Sequence, residues 1–143
     1  MFGADEVIMI ESGLYSLITA NAGFVALAAD RLYPLVLPDS LTASTTLPPS
    51  ATYQVISSIT DYTNDGSTGC TKARIQFDCL ASDYADAKNL TDAIRLVLDG
   101  YAGILPDGTP VAGTWVINVT DSYSQDTRLY RVSTDYRIVY AQQ

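Results

Sequence analysis

Carboxylates offer the widest choice of chemistry in this sequence, because histidine is absent. The 143 residues include 16 Asp and Glu, 8 Lys and Arg, and no His. Imidazole general bases, Ser-His-Asp triads, Cys-His pairs and His-ligated metals are therefore excluded. Paired acids can still exchange protons, and Asp83 and Asp86 would lie one helical turn apart. At a helix start such acids ordinarily complement the positive end of the helix dipole, and we favour that interpretation.

The segment 61–66 (DYTNDG) partly matches a calcium-binding loop. An EF-hand loop needs Asp or Asn at its third position and a bidentate Glu at its twelfth. Thr63 and Lys72 stand at those positions, so we predict a hairpin turn there instead of a metal site. The nearby cluster 66–69 (GSTG) contains a serine with no partner base. The sequence therefore predicts no catalytic residue, no cofactor and no metal.

The two cysteines and ten tyrosines are the remaining side chains that could react or form contacts with other proteins. Cys70 and Cys79 would lie about 30 Å apart along one strand at ~3.4 Å per residue, so we expect free thiols. Cys79 is expected to be a small core residue. Tyrosines are typical of protein interfaces and equally of the rim of a half-buried sheet, and both readings stay open. The six at expected strand edges or helix starts are Tyr53, Tyr62, Tyr84, Tyr130, Tyr136 and Tyr140.

Charged residues on expected strands are candidates for contacts between subunits. Residues 70–80 alternate, with Ile75, Phe77 and Cys79 on one face and Arg74, Gln76 and Asp78 on the other. A local ion pair between Asp78 and Arg74 is favoured, and a contact of Asp78 across an interface stays open.

Composition indicates one acidic, folded domain covering residues 1–143. Hydrophobic residues make up 48% and charged residues 17%, and the net charge is −8. Proteins that bind nucleic acid through its phosphates are usually basic, so the acidic charge argues against a nucleic-acid-binding protein. No apolar run approaches the ~20 residues of a membrane-spanning helix. The acidic N-terminus, with Asp5, Glu6 and Glu11, does not resemble a signal peptide, and cytosolic synthesis is expected.

Hydrophobic periodicity predicts helices at 5–20 and 83–99, with a short helical turn near Phe24. It predicts strands at 51–60, 70–80, 114–120 and 129–141, and a polar turn region at 61–69. Trp115, Ile117 and Val119 are expected to share one face of the third strand. Residues 39–50, rich in Ser, Thr and Pro, are expected to form a loop.

The predicted fold class is α+β, a two-layer sandwich in the order α-β-β-α-β-β. Its sheet is expected to be mainly antiparallel and four-stranded, with two helices on one face and a long projecting hairpin.

Several segments together resemble a known family, in their order and spacing along most of the chain. They are residues 30–34 (DRLYP), 47–49 (LPP), 53–57 (YQVIS), 61–66 (DYTNDG), 72–79 (KARIQFDC), 82–87 (SDYADA), 97–100 (VLDG) and 129–137 (LYRVSTDYR). The chain resembles the tail terminator, or tail-completion, proteins of long-tailed, lambda-like bacteriophages. The longer Ser/Thr loop at 40–47 departs from that pattern.

The resemblance implies a non-enzymatic virion protein, assembled in the host cytoplasm and located at the head–tail junction of the phage tail. A homo-hexameric ring would sit on the head-proximal end of the tail tube, stop tube polymerisation and offer a surface for head–tail joining. Its expected partners are the tail tube protein and a head-completion or connector protein. DNA would pass through the lumen without specific binding, and no membrane is involved. The alternative is another head–tail joining ring, such as a head-closure or connector adaptor protein.

The family implies no catalytic residue, so the candidate site is a set of contact residues. We expect the hairpin tip, with Tyr62, Asn64 and Asp65, to reach a neighbour or the tube. Outward-facing charges on the strands are expected to form ion pairs between subunits: Arg74, Asp78, Arg131 and Arg137. The loop 39–50 is expected to become ordered on docking.

Overall fold

A computed structural model describes residues 10–38, 47–63 and 66–141, and within the β-hairpin at 61–69 it describes the backbone only. Three helices lie in this part of the chain: α1 (Ile10–Thr19), α2 (Ala22–Ala28) and α3 (Tyr84–Leu98). The strands are β1 (Leu32–Pro34), β2 (Ser50–Thr63), β3 (Gly66–Ala81), β4 (Gly103–Ile104), β5 (Pro110–Ser124) and β6 (Leu129–Ala141). Within these ranges no helix is long and apolar enough to span a membrane.

The strands form one six-stranded sheet, curled into a half-barrel, in the order β1-β2-β3-β6-β5-β4. The predicted four-stranded, mainly antiparallel sheet with two helices is therefore wrong. The sheet is mixed, because β1 runs parallel to β2, and the described residues hold three helices. Strands of three and two residues are too short to show an alternation in sequence, which is why β1 and β4 were missed.

The β2–β3 hairpin is paired almost to its tip. The ladder runs as far as Thr63 opposite Gly66, so most of the segment 61–69 is strand and the prediction of a long turn region is wrong. Only positions 64 and 65 separate the two strands. The asparagine and aspartate there lie outside the described residues.

The core lies between one face of the sheet and the helices. The buried face of the sheet contributes the predicted Ile75, Phe77 and Cys79, together with Tyr136 and Ile138 on β6. The buried stripes of α1 and α3 pack against it, through Ile10, Leu14, Ile18, Leu90 and Ile94. Cys70 and Cys79 both lie on β3 and form no disulfide with each other. The expected helical residues 5–9 lie outside the described residues.

Gly13 allows a close approach between α1 and the turn before β5. A Cβ atom at this position would lie 2.6 Å from Oδ1 of Asp107 and 2.8 Å from Cδ1 of Leu105. The sequence indicated only that glycine weakens the middle of the helix. The structure shows that a larger residue would collide with a packed neighbour.

Helix α3 begins and ends as its sequence predicts. Oδ1 of Asp83 accepts a hydrogen bond from the backbone N–H of Ala85 at 3.0 Å, which satisfies one of the free donors of the first turn. Gly100 follows the helix with φ +82°, a left-handed conformation that glycine adopts without strain. The hydroxyl of Ser82, the other candidate cap, instead accepts a hydrogen bond from the N–H of Leu47 at 2.8 Å.

Two bulges shift the register of β5 against β6. Trp115 lies opposite Arg137, but the register slips between Val116 and Asn118, so that Val119 lies opposite the buried Thr134. A bulge adds one residue and reverses the alternation beyond it. The prediction that Trp115, Ile117 and Val119 share one face is therefore wrong, because Trp115 and Val119 face opposite sides of the sheet.

Candidate interaction surfaces

The sheet face away from the helices carries the charged residues that the sequence singled out. We call it the open face, and it consists of the outward side chains of the four long strands. Cross-strand pairs on it include Arg74 with Arg137 and Asp78 with Ser133. Arg131 lies on the same face, opposite Leu80 at the end of β3. The backbone therefore brings all four charged candidates onto one surface.

Arg74 forms its ion pair with Asp135 and not with Asp78. Its Nε donates to Oδ2 of Asp135 at 3.2 Å, and Nη2 donates to the same oxygen. Asp135 lies on β6 opposite Gln76, one step diagonally from Arg74, whereas Asp78 is four residues away along β3. Four residues of strand span roughly 13 Å, too far for a contact, so the expected local pair with Asp78 does not form.

Asp78 is half-buried, and it is short of partners. Its Oδ1 is buried and has no hydrogen-bond partner among the described residues. Its neighbours across the strands are Thr52 and Ser133. A buried carboxylate oxygen without a donor is unfavourable, so the position favours a partner that brings one.

The two other arginines of the open face are exposed, and no ion pair of either is found within the described ranges. Arg137 borders a shallow depression of about 380 Å³ together with Trp115, Val116 and Ile117. Arg131 borders a smaller one of about 280 Å³ near Tyr123 and Leu129. Each arginine therefore combines an available charge with neighbouring aromatic or aliphatic surface, as residues at protein interfaces commonly do.

The hairpin tip is placed only in part. Tyr62 lies opposite Ser67 in the β2–β3 ladder. Asn64 and Asp65 lie outside the described residues. The backbone thus carries Tyr62 to the last paired rungs of the hairpin, beside the two tip positions.

A cluster at the start of α3 was not predicted from the sequence. The Tyr84 hydroxyl donates to Oδ2 of Asp121 at 2.6 Å, and Nζ of Lys88 lies 3.1 Å from the same oxygen. The Tyr130 ring packs against Tyr84 at 5.5 Å and against Tyr123 at 4.6 Å between ring centroids. Tyr84 and Lys88 are one helical turn apart in sequence, but the bulge that turns Asp121 toward the helix gives no sequence signal.

This cluster also sets the charge states of its members. The Tyr84 hydroxyl, followed by Lys88, lowers the pKa of the Asp121 carboxyl. The hydrogen bond to Asp121 in turn raises the pKa of Lys88. Both groups are solvent-exposed, so the pair orients α3 on β5 more than it stabilises the fold.

The rim or interface position expected of the six tyrosines does not hold for all of them. Tyr136 is buried in the core, and Tyr84 is exposed. Half-buried positions are occupied by the remaining described ones: Tyr53, Tyr130 and Tyr140. Within residues 10–38, 47–63 and 66–141 no group of three or more His, Cys, Asp or Glu is placed to hold a metal ion.

The family model described as "Tail completion protein gp17" matches residues 12–141 of the chain. This chain belongs to the tail completion protein gp17 family. Its role is therefore tail completion in virion assembly, as the resemblance of the sequence implied. The family is one of structural phage proteins, which suggests a non-enzymatic component of the phage particle.

A solved structure shows the same fold. The chain is similar to a chain of the structure titled "Virion of native gene transfer agent (GTA) particle", with a TM-score of 0.75 and 15% sequence identity. The similarity covers 99% of this chain and 99% of that one. No curated protein matches the sequence.

Proposed function

We propose that this tail completion protein acts as a tail terminator, with residues 1–143 forming one domain. Six copies form a closed ring on the head-proximal end of the tail tube, at the head–tail junction. The observation that carries the proposal is the family match over residues 12–141, which leaves only short terminal segments outside it. The ring is completed in the host cytoplasm, where tails assemble.

The ring stops polymerisation by presenting a different surface from that of the tube. A head-to-tail contact that closes on itself uses up its joining surfaces within the ring. A tube subunit arriving at the capped end then meets the outer surfaces of the ring instead of the lattice site that it requires. The surface left facing the head receives the head-completion or connector protein.

The open face supplies contacts for neighbouring subunits in this arrangement. Asp78 has a buried oxygen without a donor, and Arg131 and Arg137 are exposed without a described acidic partner. If an arginine of one copy reached Asp78 of the next, the buried oxygen of Asp78 would gain a donor and the arginine would gain an acidic partner. Arg74 is already held by Asp135 and therefore helps to shape the surface instead of reaching across it.

The β2–β3 hairpin supplies the contact with the tube or with a neighbouring subunit. Its strands remain paired up to Thr63 and Gly66, so the tip is held on a two-stranded arm. Tyr62, Asn64 and Asp65 are the proposed contact residues there. Of the segment 39–50, residues 47–50 are already placed at the start of β2, so the part proposed to order on docking is residues 39–46, which lie outside the described residues.

The acidity of the chain suits passage of DNA through the ring. Each copy carries a net charge of −8. Six such copies repel phosphate over a distance of several ångströms at physiological ionic strength. DNA therefore moves through the lumen without being held by it.

The position of the protein can be tested by labelling tails isolated from infected cells. The expected result is a label at the head-proximal end of every complete tail, with sixfold symmetry in averaged end-on views. Label distributed along the tube, or at the distal end, would contradict the proposed location. A ring of different symmetry at the correct end would contradict the hexamer alone.

A further inference from the structure

Among the described residues, the two edges of the sheet are largely unpaired. The outermost strands β1 and β4 are short, and they cover β2 only at Ala51–Tyr53 and β5 only at Pro110–Val111. The remaining parts of the long strands lie at the sheet margins, and we call residues 54–63 the β2 edge and residues 115–124 the β5 edge. No strand that the structure describes pairs with the outer side of either. Each edge therefore offers a row of backbone donors and acceptors to another strand.

Charged residues and proline, two of the features that normally prevent strand pairing, are absent along most of each edge. Residues 50–60 and 108–120 contain no Asp, Glu, Lys or Arg. Exposed edge strands in monomeric proteins are usually protected by charges, proline or bulges, and of these the two edges have only bulges along most of their length. In a chain with a net charge of −8, two copies approach with least repulsion where both surfaces are uncharged.

Each margin of the open face carries an exposed apolar side chain, whereas the centre of that face is charged. Ile59 on β2 is 63% exposed, and Trp115 on β5 is 51% exposed. Their cross-strand partners Lys72 and Arg137 place both residues on the open face. Joining the two edges would cover apolar side chains at both margins and remove part of their surface from water, at roughly 25 cal/mol per Å² buried.

The directions of the strands determine how two copies can join. β2 is antiparallel to β3, β3 to β6, and β6 to β5, so the two edge strands run in opposite directions. A second copy, rotated so that the sheet continues, therefore meets the β5 edge with its β2 edge in an antiparallel orientation. Bulges at Ile56 and Asp61 in β2 and at Ile117 in β5 restrict regular pairing to residues 57–60 and part of 118–124.

We propose that the β5 edge of one copy pairs with the β2 edge of the next, so that neighbouring sheets join head to tail. The inference rests on the proposed ring and names the surfaces that form it. The two edges differ, so the contact is heterologous, and its repetition closes a ring when the rotation between neighbouring copies divides a full turn evenly. The curl of each sheet supplies rotation in a constant sense.

Cysteine cross-linking tests which surfaces meet. The background variant is Cys70→Ser, which removes the half-buried native thiol. Cys79 is retained because it is buried and its pKa is raised to about 12, so it does not react near neutral pH. A flexible bis-maleimide is added to an equimolar mixture of the Ile59→Cys and Ile117→Cys variants. Because the cross-link is irreversible, cross-linked product builds up even if the two copies associate only weakly.

The expected product is a mixed dimer of the two single variants and a ladder of multimers for the double variant. Leu96→Cys replaces Ile59→Cys in the matched control, because Leu96 is 87% exposed on α3, away from both edges. The reaction is run on the free protein and on tails that carry the variants. If the mixed product does not exceed the control in either preparation, the proposal is overturned.

Lysine substitutions test whether the contact is head to tail. Ile59→Lys leaves the β5 edge intact, and Ile117→Lys leaves the β2 edge intact. On tails, each variant alone is expected to lose its ring, whereas the exposed control Leu96→Lys keeps it. In concentrated solution the mixture forms 1:1 dimers through its one intact pair of edges. Full self-association by either single variant would overturn the heterologous contact and indicate a symmetric one.

The edge contact and the proposed function can be contradicted separately. A mixed product from the free protein, with tails of uncontrolled length, would support the edge contact and contradict the proposed function. Tails of normal length without a mixed product would support the function and contradict the edge contact.

Discussion

At the scale of single residues, Tyr136 is the largest side chain that the described core buries completely. Its ring meets Phe77 edge to face, with 5.7 Å between centroids and 83° between planes. Aromatic pairs of this geometry add about 0.5–1.5 kcal/mol to the energy of burial. We therefore expect Tyr136→Ala to lower the free energy of unfolding by roughly 3–5 kcal/mol, a large part of the ~5–15 kcal/mol that holds a domain together.

Tyr136→Phe separates the role of the ring from that of the hydroxyl. The Tyr136 hydroxyl is buried without a hydrogen-bond partner among the described residues. Its removal is therefore expected to leave stability unchanged or raise it by about 1 kcal/mol. Denaturant unfolding of both variants provides the measurement. An unchanged midpoint for Tyr136→Ala would contradict the placement of this residue in the core.

We expect the folded protein to lose stability at alkaline pH because Cys79 is buried. Burial raises the pKa of the Cys79 thiol from 9.0 to about 12. Below about pH 9 both folded and unfolded chains keep this proton. Above it the unfolded chain releases the proton first, so stability falls by up to ~1.4 kcal/mol per pH unit until the folded thiol ionises near pH 12.

Unfolding free energies measured between about pH 8 and pH 11 test this expectation. Cys79→Ala serves as the comparison, because it removes the thiol and is expected to reduce the alkaline slope. Burial also raises the pKa of Tyr136, so part of the slope should remain in that variant. Equal slopes in the two proteins would show that Cys79 ionises as easily folded as unfolded.

Single-residue patterns in the sequence identified the core better than they identified contacts. The alternation at Ile75, Phe77 and Cys79 correctly indicated a buried face, because side chains alternate along a strand regardless of what pairs with it. The partner of Arg74 could not be found in this way. Asp135 is distant in sequence, and only the register of β3 against β6 brings it close.

At the scale of elements, the β2–β3 hairpin projects beyond the strands next to it. In the part of the chain that the structure describes, its last rungs, up to Thr63 and Gly66, pair only with each other. None of the described residues between Gln54 and Thr60 on β2 is fully buried. Deletion of residues 62–67 would leave a short turn between Thr60 and Thr71, which remain paired in the ladder. We expect the shortened protein to fold with a nearly unchanged melting temperature but to lose its attachment to tails.

Sedimentation of the shortened protein with purified tails checks attachment, and circular dichroism checks the fold. The point variants Asn64→Ala and Asp65→Ala, tested together, show whether these two side chains carry the contact. A shortened protein that still caps tails would exclude the hairpin tip as the contact surface.

The sequence predicted long elements and missed short or irregular ones. Helix α3 was predicted within one residue at each end, because it has both an amphipathic stripe and clear caps at Asp83 and Gly100. β1 and β4 hold three and two residues and show no periodicity of their own. The bulge at Ile117 is set by packing against β6, so it could not be read from β5 alone.

At the scale of the whole molecule, charge governs how copies assemble. Each copy carries a net charge of −8, whereas the edges proposed to meet are uncharged over most of their length. Like charges then repel over roughly 8–10 Å at moderate ionic strength, and salt screens that repulsion. We expect the protein to be monomeric in dilute, low-salt solution and to self-associate more strongly as salt is added.

Light scattering or sedimentation velocity at low and high salt measures this dependence. Ion pairs formed by Arg131 or Arg137 between subunits would weaken with salt, so the sign of the dependence shows which contribution dominates. A stable hexamer in dilute, low-salt solution would contradict the expectation. Dissociation on adding salt would assign the contact to the arginines of the open face instead of the sheet edges.

Family resemblance, and not residue chemistry, made the role of the molecule predictable. The absence of histidine excluded whole classes of enzyme but named no function. The order of weak segments along the chain pointed to tail completion, and the family match over residues 12–141 confirms it. The unpaired sheet edges could not be predicted from the sequence. A surface of this kind depends on which strands lie outermost, and that follows only from the tertiary pairing.

The most direct test of the central claim is the length of tail tubes assembled from purified tube subunits with and without this protein. We predict that added protein binds one end of each tube as a ring, stops growth there and shortens the tubes as its concentration rises. Tubes of unchanged, uncontrolled length, with no ring at either end, would contradict the account.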